Sequence, residues 1–101
     1  MPSLSGAAFL GNPSRAMARI TVYTTKLCPY CHMAKELLRR KGASFDEVDV
    51  GCCRVLRAEM SQKAGGRSTV PQIWIGETHV GGCDDLYTLE REGKLDGLLA
   101  H

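Results

Sequence analysis

ITVYTTKLCPYCHMAKELLRRKG, residues 20–42, is the stretch on which the fold turns. Ile20 and Val22 alternate with the β-favouring Thr21 and Tyr23, which predicts a short strand. Thr24-Thr25-Lys26-Leu27 is a loop that delivers the chain to Cys28. Pro29 suits the first turn of a helix, where its missing N–H would have had no partner. Met33, Ala34, Leu37 and Leu38 then recur at helical spacing, Lys35, Arg39, Arg40 and Lys41 face water, and Gly42 ends the run. The result is a strand, a turn and a helix with two cysteines at the turn.

Downstream, residues 44–50 predict a second strand with Phe45, Val48 and Val50 as its buried positions. Residues 53–64 carry Val55, Leu56 and Met60 at helical spacing, and Gly65-Gly66 closes that helix. Gln72-Ile73-Trp74-Ile75 and Thr78-His79-Val80 flank Gly76-Glu77 and predict an antiparallel hairpin. After Gly81-Gly82, Asp84 and Asp85 open a last helical region whose apolar face is Leu86, Leu89, Leu95, Leu98 and Leu99, with a break at Gly93. The order is β-α-β-α-β-β-α. A helix joining strands that far apart favours a parallel right-handed crossover, whereas the hairpin must be antiparallel. The expected class is therefore α/β: a thioredoxin-like three-layer sandwich, a four-stranded mixed sheet with helices on both faces.

Length and charge narrow the function. A chain of 101 residues closes one core and no more. With 13 basic against 11 acidic residues it lacks the basic field that holds a phosphate backbone, so nucleic acid is not an expected partner. No apolar run approaches the ~20 residues that span a bilayer, so no membrane role is expected. Residues 1–18, rich in Ser, Ala, Gly and Pro, are expected to be a flexible leader or expression residues, with a weak organelle presequence as the other reading; 19–101 form the domain.

The five cysteines are an odd number, so one chain cannot pair them all as a secreted framework would. A zinc site would repeat the C-x-x-C unit or add histidines in register, and His32, His79 and His101 show none. A single C-x-x-C points instead to redox chemistry in a reducing compartment, the cytoplasm. Disulfide exchange needs a thiolate, and a free cysteine with pKa about 8.5 is mostly protonated at neutral pH. At a helix N-terminus, unpaired N–H groups and the macrodipole favour the anion. Cys28 is in that place, and Cys31 is one turn away on the same face, deeper. Cys28 is the expected attacker and Cys31 the resolver. Tyr30 offers an apolar ring on which a peptide-like substrate can rest.

Two further elements lie downstream. In Thr69-Val70-Pro71 the proline forces Val70 to be extended, and a cis bond there would turn the Val70 backbone outward as a free edge for an extended substrate. In Gly81-Gly82-Cys83-Asp84-Asp85 the glycines let a ligand approach bare N–H groups that suit a carboxylate, while Asp84 and Asp85 suit an ammonium. A glycine turn followed by dipole-complementing acids reads the second pattern equally well by itself. Arg67 adds the opposite sign. Glutathione carries two carboxylates, one ammonium and one thiol, and these elements offer a partner for each.

Together Cys28-Pro29-Tyr30-Cys31, Thr69-Val70-Pro71 and Gly81 to Asp85 resemble a dithiol glutaredoxin of the bacterial type over residues 19–100. The resemblance implies a thioredoxin fold, a cis Pro71, and reduction of glutathione mixed disulfides and protein disulfides at the expense of glutathione, with no metal. Val70 would then pair with the glutathione cysteine backbone, Arg67 would face a carboxylate, and the backbone at Cys83 and Asp84 would hold the γ-glutamyl end. Thr69, Pro71, Gly82 and Asp85 complete that set. The family's usual lysine three residues before the first cysteine is Thr25 here; Lys26, one later, is expected to assist Cys28 and a carboxylate. Cys52-Cys53 also departs from the family, and reads as two incidental exposed thiols, with a redox or metal role as the alternative.

Partners follow from this: glutathione, and glutathionylated or disulfide-containing proteins, with a monomer expected. Ribonucleotide reductase is compatible as a recipient of electrons. The rival readings are a thioredoxin reduced by a flavoprotein and an iron–sulfur module held by Cys28 and glutathione from two chains. The Pro-Tyr pair and the Cys83 region favour glutathione over the first, and Pro29 stiffens the turn against the second.

Overall fold

A computed structural model of the chain describes residues 18–100. The expected leader, up to residue 17, and His101 lie outside the described residues. Ala18, counted with the leader from its sequence, donates its N–H to Leu99 O at 3.2 Å and packs on the core.

The elements run β1 (Ile20–Thr24), α1 (Pro29–Arg40), β2 (Asp46–Asp49), α2 (Arg54–Lys63), β3 (Gln72–Ile75), β4 (Thr78–Gly81), α3 (Cys83–Arg91) and α4 (Leu95–Leu99). They form one four-stranded sheet in the order β2-β1-β3-β4. β1 is parallel to β2 and antiparallel to β3, and β3 is antiparallel to β4, so the sheet is mixed as expected. Gly76, at φ 61, makes the tight β3–β4 turn. The break expected at Gly93 divides the last helical region into two helices, because Gly93 takes φ 73 and its N–H closes back on Glu90 O.

Side chains alternate across a strand, and this period sorts the core into two layers. Ile20, Val22, Ile73 and Ile75 point to one face, where they meet Ala34, Leu37 and Leu38 of α1, Leu86 of α3, and Leu95 and Leu99 of α4. Tyr23 and Trp74 point to the other, where they meet Met60 and Leu56 of α2. Each fully buried leucine contributes about 1.5–3 kcal/mol from burial alone.

Individual positions differ from the sequence expectation. Met33, read with the apolar positions of α1, is 46% exposed. Val55 is 66% exposed, because only Leu56 and Met60 of α2 turn towards the sheet. Lys35 does not face water. It is buried, and its Nζ meets Glu47 Oε2 on β2 at 2.9 Å, an oxygen that also accepts from Thr24 Oγ1 at 2.7 Å. The Lys35 charge can sit there because Glu47 pairs with it, and Thr24 in turn donates to that carboxylate. Among the described residues no helix is long and apolar enough to cross a membrane.

Candidate active site

α1 begins where β1 leaves the sheet, and that junction sets the first thiol. Cys28 is the N-cap, with extended φ −108 and ψ 110, and Pro29 occupies the first turn. The Cys31 backbone N–H donates to Cys28 Sγ at 3.3 Å. No acidic side chain lies in that first turn, so the helix N-terminal field at the sulfur is unopposed on its own helix. On the other side Cys28 Sγ lies 3.7 Å from Val70 O, which accepts from it in the thiol form. The half-buried sulfur is thus held between a helix start and the loop before β3.

Cys31 sits one turn on, with 0% exposure. Burial pushes its thiol up to about 12, with the Cys28 side chain adding to the rise and Lys35 opposing it. The two cysteines therefore differ in access: Cys28 can be reached from outside, and Cys31 only through Cys28. All five cysteines are free thiols.

The Val70–Pro71 peptide is cis. Val70 and Pro71 line an open concavity of about 150 Å³ together with Tyr30, Arg67 and Thr69 on one side and Gly82, Cys83, Asp84 and Asp85 on the other. Of the three sequence motifs, separated by up to five elements, the second and third line it directly and the first reaches it through Tyr30, with neither Cys28 nor Cys31 among its lining residues. Gly82 caps α3, and its N–H donates to Asp85 Oδ2 at 2.8 Å. The same carboxylate oxygen holds Arg67 Nη1 at 3.3 Å. Asp85 thus binds the helix start to the Arg67 loop. Gly81 lies under this pair at φ 112, and a Cβ there would overlap the Asp85 carboxylate and crowd Arg67 Nη1. Cys83 is buried; burial, then the charges of Asp84 and Cys28, push its thiol up.

Lys26 is not among the residues lining this concavity. It lines a second one, of about 360 Å³, with Thr25, Leu27, Asp49, Gly51, Cys52 and Arg57. Leu27 there is 94% exposed. Cys52 is exposed, and Cys53 is the N-cap of α2 without a side-chain capping bond. Among the described residues no three His, Cys, Asp or Glu side chains converge.

Two residues near the site escaped sequence reasoning. Arg57 donates from Nε and Nη2 to Ser68 O at 3.1 and 2.9 Å, fixing the loop that leads to Val70. Gln72, fully buried at the start of β3, donates from Nε2 to Thr69 O at 3.0 Å. The one available signal was a polar residue on the strand face shared with Trp74.

Comparison with known proteins agrees with this geometry. The family model described as Glutaredoxin matches residues 20–80. A glutaredoxin of Pseudomonas aeruginosa is 61% identical over 84 residues, which cover 83% of this chain and 99% of that protein. The solution structure of glutaredoxin from Brucella melitensis superposes with a TM-score of 0.75 at 58% identity, over 84% of this chain and 91% of that one. The crystal structure of a buckwheat glutaredoxin-glutathione complex gives 0.73 at 31% identity, over 79% of this chain and 74% of that one. A thiol placed at a helix start beside a cis-proline loop, in this sheet order and with relatives of this identity, means that the chain belongs to the glutaredoxin family of glutathione-dependent thiol oxidoreductases.

Proposed function

We propose that Cys28 is the nucleophile of two routes and Cys31 of one. In the first, the Cys28 thiolate attacks the glutathione sulfur of a mixed disulfide. The old S–S bond breaks, the substrate leaves as a thiolate that takes a proton from water, and Cys28 is left glutathionylated. A second glutathione thiolate attacks that glutathione sulfur, releasing oxidised glutathione and restoring Cys28. In the second route Cys28 opens a protein disulfide, and Cys31, losing its proton, attacks Cys28 Sγ to expel the reduced protein. Two glutathiones then reduce the Cys28–Cys31 bond.

One observation carries this reading: Cys28 Sγ lies at a helix N-terminus with the Cys31 N–H aimed at it, beside the Val70 carbonyl. An extended tripeptide can pair with Val70 as an added strand and lie on the Tyr30 ring. Its γ-glutamyl carboxylate meets the bare N–H groups at Cys83 and Asp84, and its ammonium meets Asp84, since Asp85 is already engaged with Arg67 and the Gly82 N–H. Its glycyl carboxylate meets Arg67, and Lys26 where the tripeptide extends past Cys28 towards the second concavity. A buckwheat relative has been solved as a glutaredoxin-glutathione complex, which supports glutathione as the ligand. The setting is a cytoplasmic monomer acting on glutathionylated and disulfide-containing proteins, and reductive enzymes such as ribonucleotide reductase fit as electron acceptors. The domain comprises residues 19–101, with Ala18 packed onto its core.

A coupled assay tests this: glutathione, glutathione reductase, NADPH and a small glutathione mixed disulfide. Wild type and Cys31→Ser turn over and Cys28→Ser does not. A Cys28→Ser protein as active as wild type contradicts the assignment.

A further inference from the structure

The segment that carries Val70 to Cys28 lies between α2 and β3, outside any ladder, and Ser68 and Thr69 are exposed. Side chains fix its carbonyls instead: Arg57 holds Ser68 O, and Gln72 holds Thr69 O. Gln72 is the unusual partner. It has 0% exposure, and each of its amide atoms is used. Nε2 donates to Thr69 O at 3.0 Å and to Thr69 Oγ1 at 3.2 Å, while Oε1 faces His79 Nε2 at 2.7 Å.

This arrangement has one consistent assignment of hydrogens. Thr69 O can only accept, so the Gln72 atom facing it must be the NH₂ group, and Oε1 must face His79. Oε1 can only accept, so His79 must carry a proton on Nε2. The His79 ring is itself fixed. It stacks on Trp74, its partner across the β3–β4 pair, with centroids 4.5 Å apart and planes at 22°. An imidazole proton on β4 therefore sets which way a buried amide on β3 points, and that amide sets the carbonyl next to Val70.

Resting on the glutathione reading above, we infer that Gln72 and His79 form a positioning relay for the peptide-pairing edge at Val70: His79 orients the Gln72 amide, and the amide holds the Thr69 carbonyl. Neither residue lines the concavity that the tripeptide would enter. The relay acts on how well the extended thiol peptide pairs with the edge, and leaves the attack by Cys28 untouched.

The test uses the full chain and a glutathionylated peptide as the varied substrate, with glutathione held in excess. His79→Phe keeps an aromatic ring against Trp74 but removes the donor, and the KM for the glutathionylated peptide rises roughly five- to tenfold, the scale of one lost buried hydrogen bond. kcat stays within about twofold on the same scale, and the rate at which iodoacetamide alkylates Cys28 is unchanged. His79→Gln, whose amide can donate to Gln72 Oε1, returns KM to near the wild-type value. Gln72→Leu matches His79→Phe, and should it fail to fold the His79 pair decides alone. An unchanged KM in His79→Phe overturns the relay, as does a slowed alkylation of Cys28 or a failure of His79→Gln to rescue. A wild-type protein that does not turn over the peptide refutes the glutathione reading instead, so the two failures are distinguishable.

Discussion

The Cys31 backbone N–H points at Cys28 Sγ across 3.3 Å, so the proposed resolving residue also donates a hydrogen bond to the proposed attacking thiol. A charge at Cys28 receives that bond, and hydrogen bonds to charged groups are the stronger ones. The Cys31 thiol itself is pushed up to about 12 by burial, which disfavours its anion at neutral pH. Alkylation of the reduced protein with iodoacetamide from pH 7 to about pH 9, followed by peptide mapping, should label Cys28 and leave Cys31 unmodified. Equal labelling of the two would mean that the site is more open than described.

Lys35 and Glu47 give an acid-side prediction. The hydrogen bond from Lys35, then that from Thr24, holds the Glu47 carboxyl below its ordinary range. A depressed folded-state value stabilises the fold above the ordinary glutamate pKa, near 4.5, and that contribution is lost as pH falls below it. Glu47→Gln should therefore show a shallower loss of stability than wild type in urea melts as pH drops below that range. At pH 7 the same variant leaves the buried Lys35 charge short of a partner. It should be less stable by about 1.5–3 kcal/mol, the scale of a hydrogen bond to a charged group, since Glu47 is part-exposed and glutamine keeps an acceptor.

Arg67 should matter for ligand and little for stability. Its pair with Asp85 is about half exposed on each side, and such pairs contribute ~0–1 kcal/mol. Arg67→Met should hold its urea midpoint close to wild type while KM for a glutathione mixed disulfide rises roughly tenfold, the scale of a hydrogen bond to a charged group. A large fall in stability with KM unmoved would assign Arg67 to the fold alone.

Gly81 is required twice, by its φ of 112 and by the space that the Asp85 carboxylate fills. Gly81→Ala should destabilise by about 1–3 kcal/mol, the range of a side chain forced into a sparsely populated backbone region. Because the clash displaces Asp85, it should also weaken glutathione turnover. Gly42→Ala, at φ 72 with nothing near its Cβ, separates the two effects: it should lose stability and keep its KM.

Much of the fold was legible because its signals are local. Ile20 and Val22 alternate on a strand, Leu37 and Leu38 recur on a helix, and Gly76-Glu77 marks a hairpin, so each element declares itself within a few residues. Cys28 and Cys31 were legible for the same reason, their relation being one helical turn. The concavity was legible only as three motifs with complementary chemistry, and the crossovers bring them together. What stayed hidden depends on distant partners. Lys35 reads as a solvent-facing helix charge until β2 places Glu47 beside it. Gln72 reads as the polar first residue of a strand until the hairpin register sets His79 opposite Trp74. Lys26 sits four residues before Tyr30 and yet lines a different concavity, since the loop turns between them. Nothing in the structure explains why Cys52 and Cys53 stand where they do.

The central claim, that Cys28 takes glutathione from its partner and Cys31 is dispensable for doing so, is tested most directly in a single turnover. Cys31→Ser protein, fully reduced, is mixed with an equal amount of glutathionylated peptide, quenched with acid and mapped by mass spectrometry. The account predicts one glutathione on Cys28 and an equal amount of released peptide thiol. A glutathione left on the peptide, or carried to Cys52, Cys53 or Cys83 with Cys28 free, would contradict it.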